Sequence, residues 1–143
     1  MTRSTCVWCA ETEQGMFVTY RPGGRIVPSV EGIYVVEFGD VGLPRQQYRN
    51  GGVVLLETQR IFGGDGGYYY VGTYVVDASR FELTARIVKH DPNWINAFGD
   101  ESGTFNVKME ATVGSGVIQG TMQRIDMPDI TLPVRLTLKE VLP

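Results

Sequence analysis

Few residues of this chain have the type and spacing that catalysis needs. His90 is the only histidine, so a hydrolytic triad has one available imidazole base. No serine sits in the strand–turn–helix elbow that exposes a nucleophile. His90 ends an alternating run and is followed by Asp91 and Pro92, the setting of a turn residue. Cys6 and Cys9 form a single CxxC. A structural zinc site usually draws four ligands from two such pairs, and a redox CxxC needs a βαβ context. The sequence offers neither, so the pair reads as incidental thiols. No metal site, cofactor or enzymatic activity is expected.

The segment Ile61–Tyr74, IFGGDGGYYYVGTY, is more informative. Phosphate-cradling glycine loops lead from a strand into a helix, whereas this one leads into an aromatic, β-branched run. Calcium β-rolls need many copies of their repeat, and there is one here. The glycines and Asp65 therefore read as a corner between two strands, with glycine supplying positive φ. Alternation then puts Tyr68, Tyr70, Gly72 and Tyr74 on one face and Tyr69, Val71, Thr73 and Val75 on the other. If the first set faces inward, three phenols enter a core or a ligand cavity. If it faces outward, they form an aromatic patch suited to a protein interface.

The elements that position these residues are strands. Phe81, Leu83, Ala85 and Ile87 alternate with Glu82, Thr84, Arg86 and Val88, a period of two. Phe105, Val107, Met109 and Ala111 do the same, as do Ile130, Leu132, Val134, Leu136 and Leu138. Pro133 falls on the outward set of that last run and lacks an N–H, which predicts an edge or an irregularity there. With 32–38, 52–57, 60–63, 68–77 and 116–125, about eight strands follow, linked by Gly-, Asp-, Asn- or Pro-bearing turns. Their apolar faces are buried together by closing into an eight-stranded antiparallel up-and-down barrel; a two-sheet sandwich is the alternative. Phe81, Leu83, Phe105, Val107, Met109 and Leu136 would line its interior beside the tyrosines. The connection KHDPNWINAFGDES carries Trp94, Ile95 and Phe98, which would plug a barrel mouth, gate a cavity or make a contact surface; a short turn packed inward is the plainer reading.

At 143 residues with 43% hydrophobic and 20% charged residues, the chain fits one domain with a substantial core. A net charge of −3 argues against non-specific binding of nucleic acid. No apolar run approaches the ~18 residues that span a bilayer, and the first residues lack a signal-peptide core, so the expected location is cytoplasmic. Residues 1–29 show no clear period and end in RPGGRIVP. They read as a flexible N-terminal extension, or as an arm packing through Met16, Phe17, Val18 and Tyr20, before a barrel domain over residues 30–143.

The order GIYVVEF, GGVVLL, IFGGD and YVGTY, running from Gly32 toward Leu142, resembles the GrlR-like family of small lipocalin-fold proteins, whose regulatory members repress type III secretion genes. In that resemblance Gly63, Gly64 and Asp65 are the signature corner. It implies a lipocalin-like barrel with an apolar interior, commonly a homodimer, and a negative regulator that binds a transcriptional activator protein without touching DNA. The regulatory members carry an acidic cluster after the YxGxY strand; here the matching turn reads VVDASRFE, with Asp77 and Glu82 flanking Arg80. The alternative function is a carrier or sensor of a small apolar ligand held in the barrel.

Overall fold

The computed structural model describes residues 9–11, 17–21, 25–40 and 50–143, with side chains only from residue 29 onward. Within the first 29 residues, β1 (Cys9–Glu11), β2 (Phe17–Arg21) and β3 (Arg25–Ser29) pair as an antiparallel meander. The side chains proposed above for an arm, and those of Cys6 and Cys9, lie outside the described residues. Eight further strands follow: β4 (Gly32–Phe38), β5 (Asn50–Glu57), β6 (Arg60–Gly64), β7 (Tyr68–Asp77), β8 (Arg80–Lys89), β9 (Thr104–Val113), β10 (Val117–Arg124) and β11 (Met127–Glu140). Each pairs antiparallel with the next, and β11 returns to pair with β4, from Val134 opposite Phe38 to Glu140 opposite Ile33. The result is a closed up-and-down barrel, and closure removes the exposed edges that an open sheet presents.

Alternation fixes which residues point inward. In β8 Phe81, Leu83, Ala85 and Ile87 are buried while Arg80, Thr84 and Arg86 are exposed; β9 repeats the pattern with Phe105, Val107 and Met109. Pro133 sits opposite Thr121 in the β10 ladder, one residue before the β4 ladder begins at Val134. Its carbonyl accepts from the Gly39 N–H at 3.0 Å, and in an antiparallel strand its nitrogen faces that same side, just past the end of β4. The missing N–H therefore costs no ladder bond.

The connections alternate between two ends. Asp65–Gly67, residues 90–103 and Ile125–Asp126 lie at one end, called the mouth. Thr58–Gln59, Ala78–Ser79 and residues 114–116 lie at the other, the base. The base is packed shut: Tyr34 is buried and its hydroxyl donates to the Val30 carbonyl at 2.7 Å, while Tyr74 stacks on Phe81 with centroids 5.4 Å apart. Thr58 and Gln59 have φ of 53° and 61°, the two-residue geometry that matches strand twist in a hairpin. The Thr58 N–H donates to a Glu31 carboxylate oxygen at 2.7 Å, which helps hold a β-branched residue in a region it rarely adopts.

Candidate functional site

The corner between β6 and β7 is organised by Asp65. One carboxylate oxygen accepts from the Gly67 and Tyr68 N–H groups, both at 2.8 Å, and the other accepts a short bond from the Tyr70 hydroxyl. His90 ties the corner to the end of β8: its N–H donates to the Gly67 carbonyl at 2.8 Å, and its Nε2 lies 2.9 Å from the Asp65 carbonyl. His90 thus lies at the strand-end turn that its setting suggested.

The corner glycines differ from expectation in one respect. None of Gly63, Gly64, Gly66 or Gly67 has a positive φ; what they supply is space. A Cβ on Gly67 would stand 2.2 Å from Cγ of Trp94, and one on Gly63 would stand 2.2 Å from the Val53 carbonyl oxygen. The bare backbone at Gly66 and Gly67 is the surface on which the Trp94 indole rests.

Trp94 belongs to the segment that covers the mouth. Trp94, Ile95, Asn96, Ala97 and Phe98 all face a cavity of about 90 Å³ whose lower walls come from the barrel strands. Phe98 is buried, whereas Trp94 and Ile95 are about half exposed. Seven of the nine expected cavity residues line this space: Tyr68, Tyr70, Leu83, Phe105, Val107, Met109 and Leu136. Tyr74 and Phe81 face inward too, but they pack against each other near the base and do not reach it. The inward direction of Tyr68, Tyr70 and Tyr74, with Tyr69 exposed on the other face, decides between the two faces left open by alternation.

The site is strongly apolar, with few polar groups. Burial pushes the Tyr70 phenol well above the ordinary tyrosine range, reinforced by its bond to Asp65. Tyr68 is 3% exposed, and its hydroxyl is the one buried side-chain polar atom without a hydrogen-bond partner among the described residues. Burial pushes its phenol up as well, opposed first by the nearby Asn96 amide, which stops short of hydrogen-bonding geometry. Tyr68 and Phe98 both meet the Phe105 ring edge-on, at 6.0 and 5.9 Å.

Above this aromatic cluster lies a feature that the reading of the sequence missed. Arg124, 3% exposed, places its guanidinium 4.4 Å from the Phe105 centroid. Its Nη1 reaches both Asp100 oxygens at 2.9 and 2.8 Å, and Nε and Nη2 reach Asp126 at 2.9 and 2.6 Å. Asn96, also buried, donates to Asp100 at 2.5 Å and accepts from the Phe98 N–H at 2.9 Å. Burial raises the Asp100 carboxyl, but bonds from Asn96 and Ser102 and the Arg124 charge outweigh it and hold the group at about 2. Arg124 thereby fastens the covering segment to the β10–β11 turn. The signal was present in β10, where the period that turns Ile118, Gly120 and Met122 inward carries Arg124 inward as well.

Among the described residues no three His, Cys, Asp or Glu side chains gather closely enough to hold a metal ion, and no helix is long and apolar enough to cross a membrane. Set against known proteins, the chain matches no family model and no curated sequence.

Proposed function

We propose that this protein works by non-covalent binding, as a carrier or sensor of a small, mostly apolar molecule held in the barrel cavity. One observation carries the reading: Tyr68 lines the cavity, and its buried hydroxyl has no partner among the described residues. A buried hydroxyl left unpaired costs about 1–3 kcal/mol, and a bound ligand or ordered water would recover that cost. Apolar walls with a few placed polar groups are the usual form of a small-ligand site. Native mass spectrometry of protein purified from its own source should find a retained small molecule. The reading falls if the protein is recovered empty and its melting temperature is unmoved by a panel of small uncharged compounds, since a ligand of the native state must raise it.

A second reading, a homodimeric regulator that captures a transcriptional activator protein, is favoured by the outer surface of β4–β7. Ile33, Val53, Phe62, Tyr69 and Val75 are exposed there. The ladder sets Ile33, Leu55, Phe62 and Val71 in one row, with Val35 and Val53 in the next row toward Gly64 and Tyr69. Apolar patches of this kind mark protein interfaces. The turn that would correspond to the acidic cluster of the regulators adds little, because Glu82 is paired with Arg80 at 2.7 Å. Replacing Val53 and Phe62 with glutamate should turn a sedimenting dimer into a monomer and abolish recovery of an activator. A wild-type chain that stays monomeric at high concentration, with no activator recovered, overturns this reading.

A further inference from the structure

The polar groups around the cavity are arranged for one kind of ligand. A carboxylate ligand needs a free cation or several N–H donors. Among the described residues Arg124 is the buried cation beside the site, and each of its three nitrogens is already held by Asp100 or Asp126. Lys89 lies over the Tyr68 ring at 5.8 Å with its ammonium donating to the Glu101 carbonyl, and it is absent from the cavity wall. Asp65 does reach the wall, and it brings negative charge. One of its oxygens takes two backbone N–H groups and the other takes the Tyr70 hydroxyl, so most of its acceptor capacity is already used. Of the neutral polar groups on the wall, Asn50 donates to the Gly39 carbonyl and Asn96 to Asp100, whereas the Tyr68 hydroxyl has no partner among the described residues and can donate one hydrogen bond.

Size narrows the choice further. About 90 Å³ lies below the roughly 300–1,000 Å³ of sites for drug-sized ligands, and below the about 150 Å³ of an engineered protein cavity that holds benzene. A long acyl chain does not fit wholly within it.

Resting on the small-ligand reading above, we infer that the cavity takes a compact, uncharged molecule with an apolar body and a single hydrogen-bond acceptor set against the Tyr68 hydroxyl, and that it rejects carboxylates, fatty acids included. Desolvating an anion without a compensating cation is prohibitive. A ketone or ether oxygen costs far less to bury and finds its donor in place.

The test uses the full chain and three small probes of nearly one shape: acetone, acetate and isopropylammonium. Each is titrated by NMR while the ring resonances of Tyr68, Phe98 and Phe105 are followed. Acetone should shift these resonances saturably, and at least tenfold more tightly than either charged probe. Tyr68→Phe should weaken the ketone about tenfold while leaving the fold intact. If the carboxylate binds as well as the ketone, or Tyr68→Phe leaves ketone affinity unchanged, the inference fails while the cavity still stands as a binding site. If none of the three probes moves these resonances, the small-ligand reading falls with it. The comparison among probes on the unmutated chain stands even if the variant does not fold.

Discussion

Tyr34, Tyr68 and Tyr70 show how little a residue type alone determines. All three are buried on the inner face of the barrel, and burial lifts all three phenols above their ordinary value. Their hydroxyls meet different fates. That of Tyr34 donates to the Val30 carbonyl, that of Tyr70 to Asp65, and that of Tyr68 to none of the described residues. The same substitution should therefore have opposite consequences. Tyr34→Phe removes a satisfied bond and orphans a buried carbonyl, a loss of about 1–3 kcal/mol. Tyr68→Phe removes a group that is already unsatisfied and should leave stability unchanged, or raise it by up to about 1–3 kcal/mol. Urea unfolding followed by far-UV circular dichroism measures both, and a Tyr68→Phe protein that loses as much as Tyr34→Phe would show that its hydroxyl has a partner after all. The inward direction of these side chains was half legible in the sequence. Alternation assigned Tyr68, Tyr70 and Tyr74 to one face, but which face met the core depended on the neighbouring strands.

At the scale of elements, the strands were legible because a half-buried strand writes a period of two directly into the chain, and β8, β9 and β11 do so without interruption. Other features were hidden for physical reasons. The β5–β6 turn uses Thr58 and Gln59 in positive φ where the turn code expects glycine or asparagine. The latch over the mouth joins Arg124 to Asp100 across 24 residues, and only the finished barrel brings these two together. The latch has a testable pH dependence. The Asp100 carboxyl is held at about 2 against an ordinary 3.8, so the folded state favours the ionised form. The stability it contributes is complete above about pH 4 and is lost as the pH falls toward 2. In a Trp8→Phe background, Trp94 emission should be constant above that window and shift to the red within it. Asp100→Asn should show the shifted emission already at neutral pH, with a stability loss of about 1–2 kcal/mol. That figure lies below the usual cost of breaking a buried pair, since the Asp100 side chain is 36% exposed. Emission that does not respond to acid before the barrel unfolds would remove Arg124 and Asp100 from the role of holding the cover.

The whole molecule is a barrel with two unlike outer surfaces: β4–β7 present valine, leucine, isoleucine and aromatic side chains, while β8–β11 present mostly Thr, Gln, Arg, Lys and Glu. The seam where these two halves meet again is the β11–β4 ladder, clamped by Arg135 and Glu37, which lie directly opposite each other and pair at 2.9 Å. Everything needed to close the ring is thus contained in residues from β4 onward, with one addition. Val30, just before β4, is 3% exposed, and its carbonyl receives the Tyr34 hydroxyl near the base. These facts predict the effect of truncation. A chain beginning at Ser29 keeps both the Val30 side chain and its carbonyl, so it should unfold in one cooperative transition at the same urea midpoint as the full chain. A chain beginning at Glu31 loses a buried valine, worth about 1.5–3 kcal/mol, together with the partner of a buried hydroxyl, worth roughly another 1 kcal/mol. Its midpoint should fall accordingly, with the slope of the transition unchanged because the same barrel unfolds. If the Ser29 chain is already destabilised by a similar amount, the first 29 residues, including β1–β3, contribute to barrel stability and the domain begins earlier than Val30.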